Sequence, residues 1–337
     1  IANRAARLGV TGDDIYLYSA TRMQDILEAI ARTQPALVII DSIQTVYLED
    51  VSSSAGSVTQ VRECATAFLH AAKRSGVPIV MVGHVTKQGD IAGPRVLEHI
   101  VDVVLYLEGE GMQGHRILRG IKNRYGPTDE VAVLEMVGAG LAPVQNPSAA
   151  FLTPQVKGEA AVSAAVTVSM EGSRPLLLEV QALCSEATQA PGGGKGGGVR
   201  RYGTGVQLTR LHLLLAVLTK RMRLPLYRQD VFVNVTGGIQ LTEPATDLAV
   251  VAAVVSSFFD VPIGPNLVFL GEVGLGGELR SVPQIERRLT EAAKLGFKRA
   301  VVPAGCTAER KGLDIVRCST VSDAMQVIVP DLLERST

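Results

Sequence analysis

Apolar residues along the first 140 positions occur in two alternating patterns, short continuous runs and longer stretches with helical spacing. The runs predict strands at Ile15 to Tyr18, Leu37 to Asp41 and Val77 to Gly83. The stretches between them, Met23 to Arg32 and Val58 to Ser75, predict helices. Three further strands, Val101 to Leu107, Arg116 to Lys122 and Glu130 to Met136, follow with Gly-rich turns between them. Strands alternating with helices imply a mostly parallel sheet covered on both faces, here with an antiparallel extension. The expected fold class is α/β.

Three prolines in APVQNPSAAFLTP, Pro143 to Pro154, interrupt this periodicity and place a domain boundary there, giving residues 1–147 and 148–337. In the second part, strands are expected at Ala161 to Met170, Arg174 to Leu183, Val231 to Val235, Leu267 to Leu270 and Ala300 to Pro303. Helices are expected at Gln207 to Arg221, Ala245 to Phe259, Ile285 to Leu295 and Ser322 to Ile328, an α+β arrangement.

Two stretches carry candidate chemistry. In LVIIDS, Leu37 to Ser42, a continuous apolar run suits a strand buried on both faces and ends at Asp41. A carboxylate there can hold a phosphate-bridging Mg²⁺, and equally can make an Asx turn or cap the next helix. In LRGIKNRYG, Leu118 to Gly126, an apolar strand closes on Lys122 and Arg124 before the Gly126-Pro127 turn. Pro127 fixes φ and Gly126 permits a positive φ, so the chain reverses with both cations at the strand end. A point charge beside a planar fork suits a nucleotide phosphate or a DNA backbone; a solvated basic turn is the plain alternative. GGGKGGG, Gly192 to Gly198, imitates a phosphate loop, but Gly196 stands where a Ser or Thr would bind Mg²⁺, so a flexible linker fits better.

Composition narrows the class. The chain has 337 residues, 47% hydrophobic and 20% charged, enough for two cores of ordinary size. No apolar span long enough for a membrane helix and no signal peptide is visible, so a cytoplasmic protein is expected. Cys64, Cys184, Cys306 and Cys318 have no C-x-x-C spacing and are expected to be reduced and mostly buried. The formal net charge is zero, yet Lys195 to Gln229 holds eight Lys or Arg and no Asp or Glu. Such a stretch, with Arg200 and Arg201 as its candidate DNA ligands, can contact DNA phosphates or can be a solvated linker and helix end. Tyr202 and Tyr227 could add stacking, although an aromatic content of 4% argues against a base-reading platform.

KNRYG at Lys122 to Gly126, LVIIDSIQT at Leu37 to Thr45 and GHVTKQGDIAGPRVLEHIVD at Gly83 to Asp102 resemble segments of the bacterial RadA (Sms) family of RecA-like ATPases, with Tyr125 where Phe is usual. The resemblance covers nearly the whole chain. It implies a DNA-dependent ATPase of DNA repair and homologous recombination, using ATP and Mg²⁺. It further implies a homo-hexameric ring on single-stranded DNA that promotes branch migration, beside a RecA-type recombinase and branched intermediates. By resemblance Asp41 orients Mg²⁺ through water, with Ser42 beside it, and His84, Thr86 and Lys87 sense the phosphate; His84 fits an ordinary turn histidine as well. Lys122 and Arg124 act in trans on the γ-phosphate or contact DNA, and QGDIAGPR, which carries Arg95, faces DNA. The family's four-cysteine zinc module is absent from this chain, and G-x-x-x-x-G-K-[ST] occurs nowhere in it. An amino-terminal truncation is therefore expected, and a non-catalytic DNA-binding or assembly fragment stands as the alternative.

GEVGLGGELRSVPQIERRLTEAAKLGFKRAVVP, Gly271 to Pro303, resembles the Lon protease domain found in that family. By resemblance the nucleophilic Ser position holds Ala245 and the Lys position holds Glu286. Thr246 has a hydroxyl but no matching lysine, so no peptidase activity is expected.

Overall fold

A computed structural model describes residues 2–10, 12, 14–84, 97–109, 115–153, 161–187 and 199–330. The chain divides into two compact units, Ile1–Tyr106 with Arg119–Thr128, and Leu107–Leu118 with Asp129–Thr337. The secondary structure is mixed α/β.

In the first unit, helices α1 (Ala2–Arg7), α2 (Met23–Thr33) and α3 (Val58–Ser75) accompany strands β1 (Val38–Asp41) and β2 (Ile79–Val82). The strands pair in parallel, with Ile40 opposite Met81 and Asp41 opposite Val82. Met23 and Ile26 from α2, Ile40 from β1, and Val61, Cys64 and Phe68 from α3 form the core. Ser57 caps α3 by accepting from Gln60 N at 3.3 Å, and Gly76 ends it in a left-handed conformation that favours glycine. The buried Gln60 amide donates to Leu48 O, Val51 O and Ser53 O at 3.0–3.1 Å and accepts from Leu48 N, pinning the loop after β1 onto α3.

Two expectations fail here. Ile15 to Tyr18 forms no strand, and all four side chains are exposed. An apolar run makes a strand only where a neighbour accepts its ladder, and among the described residues none pairs with it. Strand β1 is buried on one face only: Ile40 is buried while Ile39 is 62% exposed. The helical core lies against Ile40, and no described residue buries Ile39 in the same way.

Strands β3 (Val103–Glu108) and β4 (His115–Asn123) follow, then β5 (Val131–Val137) and β6 (Gly140–Pro143), the last two paired antiparallel. The second unit is built on β7 (Ala164–Glu171), β8 (Arg174–Glu186), β9 (Arg201–Thr204), β10 (Gln229–Val235), β11 (Leu267–Phe269), β14 (Arg299–Pro303) and β15 (Asp314–Cys318). Their order is β15-β14-β11-β7-β8-β10-β9. β15, β14, β11 and β7 run parallel in succession, as do β10 and β9, while β8 is antiparallel to both its neighbours. The largest, mostly parallel sheet thus lies in the second unit. A short hairpin, β12 (Glu272–Val273) with β13 (Leu279–Arg280), stands apart from it.

Helices cover both faces of this sheet. α4 (Leu208–Arg221) and α5 (Asp247–Phe259) pack on one face with Leu176, Leu178 and Val180 of β8; α6 (Ile285–Lys294) packs on the other with Leu177, Val166 and Val168. The consecutive run Leu248–Val255 of α5 is buried all round, as a helix apolar on every face must be. A final helix, α7 (Val321–Gln326), is held by a capping box between Thr320 and Asp323. Gly172 turns β7 into β8 at φ +63, and a Cβ there would lie 2.2 Å from Asp129 O, so only glycine fits.

Arg288 carries a wholly buried charge. Arg288 of α6 donates to Glu243 through both nitrogens at 2.6 Å, to Val168 O at 2.5 Å and to Pro283 O at 3.0 Å, and Glu243 also accepts from Met170 N at 2.7 Å. A paired, fully hydrogen-bonded guanidinium is tolerated in the interior; its partner left alone is not. Arg288→Ala should cost about 3–5 kcal/mol, read as a fall in the urea midpoint with unchanged slope. A change under about 1 kcal/mol would mean that water reaches the pair. Burial likewise pushes the Cys64 and Cys184 thiols up to about 11. Native protein at neutral pH should leave Cys64 unlabelled by a thiol reagent that labels it in urea; rapid native labelling would contradict this burial.

Candidate phosphate-binding site

Parallel pairing of β1 and β2 brings their carboxyl ends level, so Asp41 and the residues after Val82 meet at one edge. Asp41 is exposed there, and Ser42 behind it is buried. The Ser42 carbonyl accepts from Thr45 N at 3.1 Å and Thr45 Oγ1 at 2.8 Å, closing the turn Ile43–Thr45. That turn aims Gln44 across the edge, where its Nε2 donates to His84 O at 3.4 Å. Its Oε1 is buried without a hydrogen-bond partner. Thr86, Lys87 and Arg95, with the QGDIAGPR segment, lie outside the described residues.

The KNRYG tip closes β4, whose last residues are Lys122 and Asn123, and is folded back onto the turn Leu97–Asp102, itself closed by Ile100 N and Val101 N donating to Leu97 O. Lys122 Nζ donates to Glu98 O at 2.5 Å. Arg124 Nη1 meets Asp102 Oδ1 at 2.7 Å, and its backbone N donates to Asp102 O at 2.9 Å. Asn123 organises the reversal, accepting from Tyr125 N and donating to Pro127 O, both at 3.2 Å. Tyr125 is 80% exposed. Two details correct the sequence reading. Gly126 is not at positive φ; a Cβ there would sit 2.8 Å from Asn123 Nδ2, so a larger residue would have to displace the Asn123 amide. Lys122 and Arg124 do not simply project from a strand end, since both are held on residues 98–102.

The edge group of Asp41, Ser42, Gln44 and His84 and the cation group of Lys122 and Arg124 are each drawn together. No hydrogen bond or ion pair joins the two groups among the described residues. No cluster of three His, Cys, Asp or Glu able to cage a metal occurs among those residues either.

Arg200 and Arg201 of the second unit differ sharply. Arg200 is 67% exposed yet paired to the buried Asp230 at 2.7 Å, with its guanidinium 5.7 Å above the Phe232 ring. The Arg200 backbone N–H, at 2.6 Å, holds the Asp230 carboxyl below the usual range. Arg201 instead donates to the carbonyls of Gln229 and Leu226, and burial lowers its guanidinium from the ordinary value. Arg210 of the same basic stretch is paired with the buried Asp247. The stretch from Lys195 to Gln229 is therefore less unbalanced than its composition indicates, because acids beyond it come back to it.

At the Lon-like positions, Ala245 is buried and Glu286 is exposed. The buried Thr246 hydroxyl donates to Glu243 O at 2.9 Å.

Gln44, Glu98 and Asp102 are the site residues that sequence reasoning missed. Gln44 lies inside LVIIDSIQT and could have been flagged as a polar side chain next to the carboxylate; Glu98 and Asp102 become partners only through contacts 24 and 22 residues long. No described helix is long and apolar enough to cross a membrane.

Comparison with known proteins adds the family. Residues 207–305 match the family described as subunit ChlI of Mg-chelatase. DNA repair protein RadA of Bacillus subtilis is 48% identical over 327 residues, covering 96% of this chain and 69% of the relative. The Listeria monocytogenes protein of the same name is 46% identical over 331 residues, 97% of this chain and 70% of the relative. That of Streptococcus pneumoniae is 44% identical over 329 residues, 96% of this chain and 76% of the relative. With identity at this level across nearly its whole length, the chain belongs to the RadA family of DNA repair proteins.

Proposed function

We propose that this chain works as part of a DNA-dependent ATPase that processes recombination intermediates on single-stranded DNA, with Lys122 and Arg124 as its phosphate ligands. The observation that supports this best is the tip itself: two cations two residues apart, set by backbone and carboxylate contacts on one turn. Preset cations bind an anion with little ordering cost, and the Arg fork adds directional N–H donors to the charge. In a ring such a tip meets the phosphate of a nucleotide bound by a neighbouring subunit, or the DNA backbone.

The donors near Asp41 fit a hydrated Mg²⁺ rather than an all-protein cage. One exposed carboxylate and the orphan Gln44 Oε1 supply few direct ligands, and Mg²⁺ keeps several waters and phosphate oxygens. Bound with Mg²⁺, ATP supplies the hydrolysis that drives movement. Asp41 and Ser42 would hold the hydrated ion, and Gln44 would link that edge to His84 after β2. Residues 1–147 are read as the carboxyl-terminal portion of a RecA-like core and 148–337 as a Lon-like domain without peptidase activity. The assembly is read as a cytoplasmic homo-hexamer acting beside a RecA-type recombinase.

Lys122→Ala and Arg124→Ala should each lower the slope of log K for single-stranded DNA against log salt by about 0.7, without moving the melting temperature, because Arg124 is half-exposed. In a chain extended to the length of its relatives, the same changes should abolish DNA-stimulated ATP turnover. Unchanged slope and turnover would leave the tip a structural turn. Arg200→Ala should reduce the salt slope and spare the fold, whereas Arg201→Ala should lower the melting temperature by removing donors to two carbonyls. Equal effects of both changes on DNA binding, with no change in melting, would contradict their different burial.

A further inference from the structure

We infer that Asp102 is a positioning residue for Arg124, holding its guanidinium in the orientation that receives a phosphate. The inference rests on the reading of Arg124 as a phosphate ligand. Asp102 grips Arg124 twice, by its carbonyl on the backbone N–H at 2.9 Å and by Oδ1 on Nη1 at 2.7 Å. The first contact fixes where the residue sits and the second fixes the direction of its side chain. The carboxylate contact runs through Nη1 alone, so the fork can accept a second anion along its other edge.

Stability gives no account of the pair. Arg124 and Asp102 are 48% and 35% exposed in their side chains, and exposed ion pairs contribute little to folding. What the contact does is restrict an otherwise freely rotating side chain before a ligand arrives, which removes an ordering cost from binding. The support is itself braced. Glu98, four residues before Asp102, accepts from Lys122 Nζ through its carbonyl and from the Tyr106 hydroxyl through Oε1 at 3.1 Å. One turn therefore sets both cations, and among the described residues Asp102 is the one that bonds the Arg124 side chain.

Charge and positioning predict opposite signs. Removing a carboxylate beside an anion site should strengthen anion binding if only charge matters. If Asp102 positions the fork, Asp102→Ala should weaken it, and Asp102→Asn, which loses the same charge but keeps an acceptor oxygen, should bind at least as tightly as the parent. The test uses the full chain and its variants with two probes, a fluorescent oligothymidylate and a fluorescent ATP analogue with Mg²⁺, read by anisotropy. The expected result with the probe that Arg124 serves is about tenfold weaker binding for Asp102→Ala, parental or tighter binding for Asp102→Asn, and a double variant with Arg124→Ala no weaker than Arg124→Ala alone. Which probe responds tells whether the phosphate belongs to DNA or to nucleotide. A parent chain that holds neither probe, or an Arg124→Ala variant that binds both as the parent does, overturns the phosphate reading and this inference together. Weakening by Arg124→Ala with Asp102→Ala at or above parental affinity, with Asp102→Asn as weak as Asp102→Ala, or with additive losses in the double variant, overturns the inference alone.

Discussion

The parallel pairing of β1 with β2 is the constraint on which the candidate site depends. A parallel pair has both carboxyl ends on the same side, so two segments 41 positions apart, Asp41 and Val82, finish level with each other. The connection between them must be a crossover, which α3 supplies, and α3 buries its apolar face on Ile40 and Ile43. Gln60 then ties the loop entering α3 to that helix by four hydrogen bonds. The edge where Asp41, Gln44 and His84 gather is thus held by core packing on one side and by a buried amide on the other.

Several cations in this protein are met by acceptors that are distant in sequence. Lys122 and Arg124 find residues 98 and 102, Arg210 finds Asp247, and Arg288 finds Glu243. Their energetic meaning differs with burial. The Arg288 pair is inside and its loss strands a charge, while the Arg124 pair is wet and acts on orientation more than on stability. Arg200 and Arg201 show the same division between neighbours, one turned to solvent beside Phe232 and the other turned in upon carbonyls.

In the second unit the same logic governs the Lon-like positions. Glu243, two residues before Ala245, belongs to the buried pair with Arg288, two residues after Glu286. That ion pair and the Thr246 hydroxyl, which donates to the Glu243 carbonyl, account for the polar groups next to Ala245.

The sequence by itself determined the elements whose driving force is local. Helix α3 was legible to the residue, because a Ser cap, helical spacing and a terminal glycine are all local signals, and β1, β2, β7, β8, β10, β11, β14 and the helices α4 to α6 were legible within a few residues. KNRYG and LVIIDSIQT were enough to point to the family that the comparisons with relatives establish. Tertiary structure decided what has no local cause. It left Ile15 to Tyr18 without a strand for want of a pairing neighbour, and it made strands of Arg201–Thr204 and Asp314–Cys318, whose weak patterns are completed by parallel partners. It chose the partner of each cation, because a hydrogen bond spanning 22 or 45 residues depends on where the chain returns and not on which residues flank it.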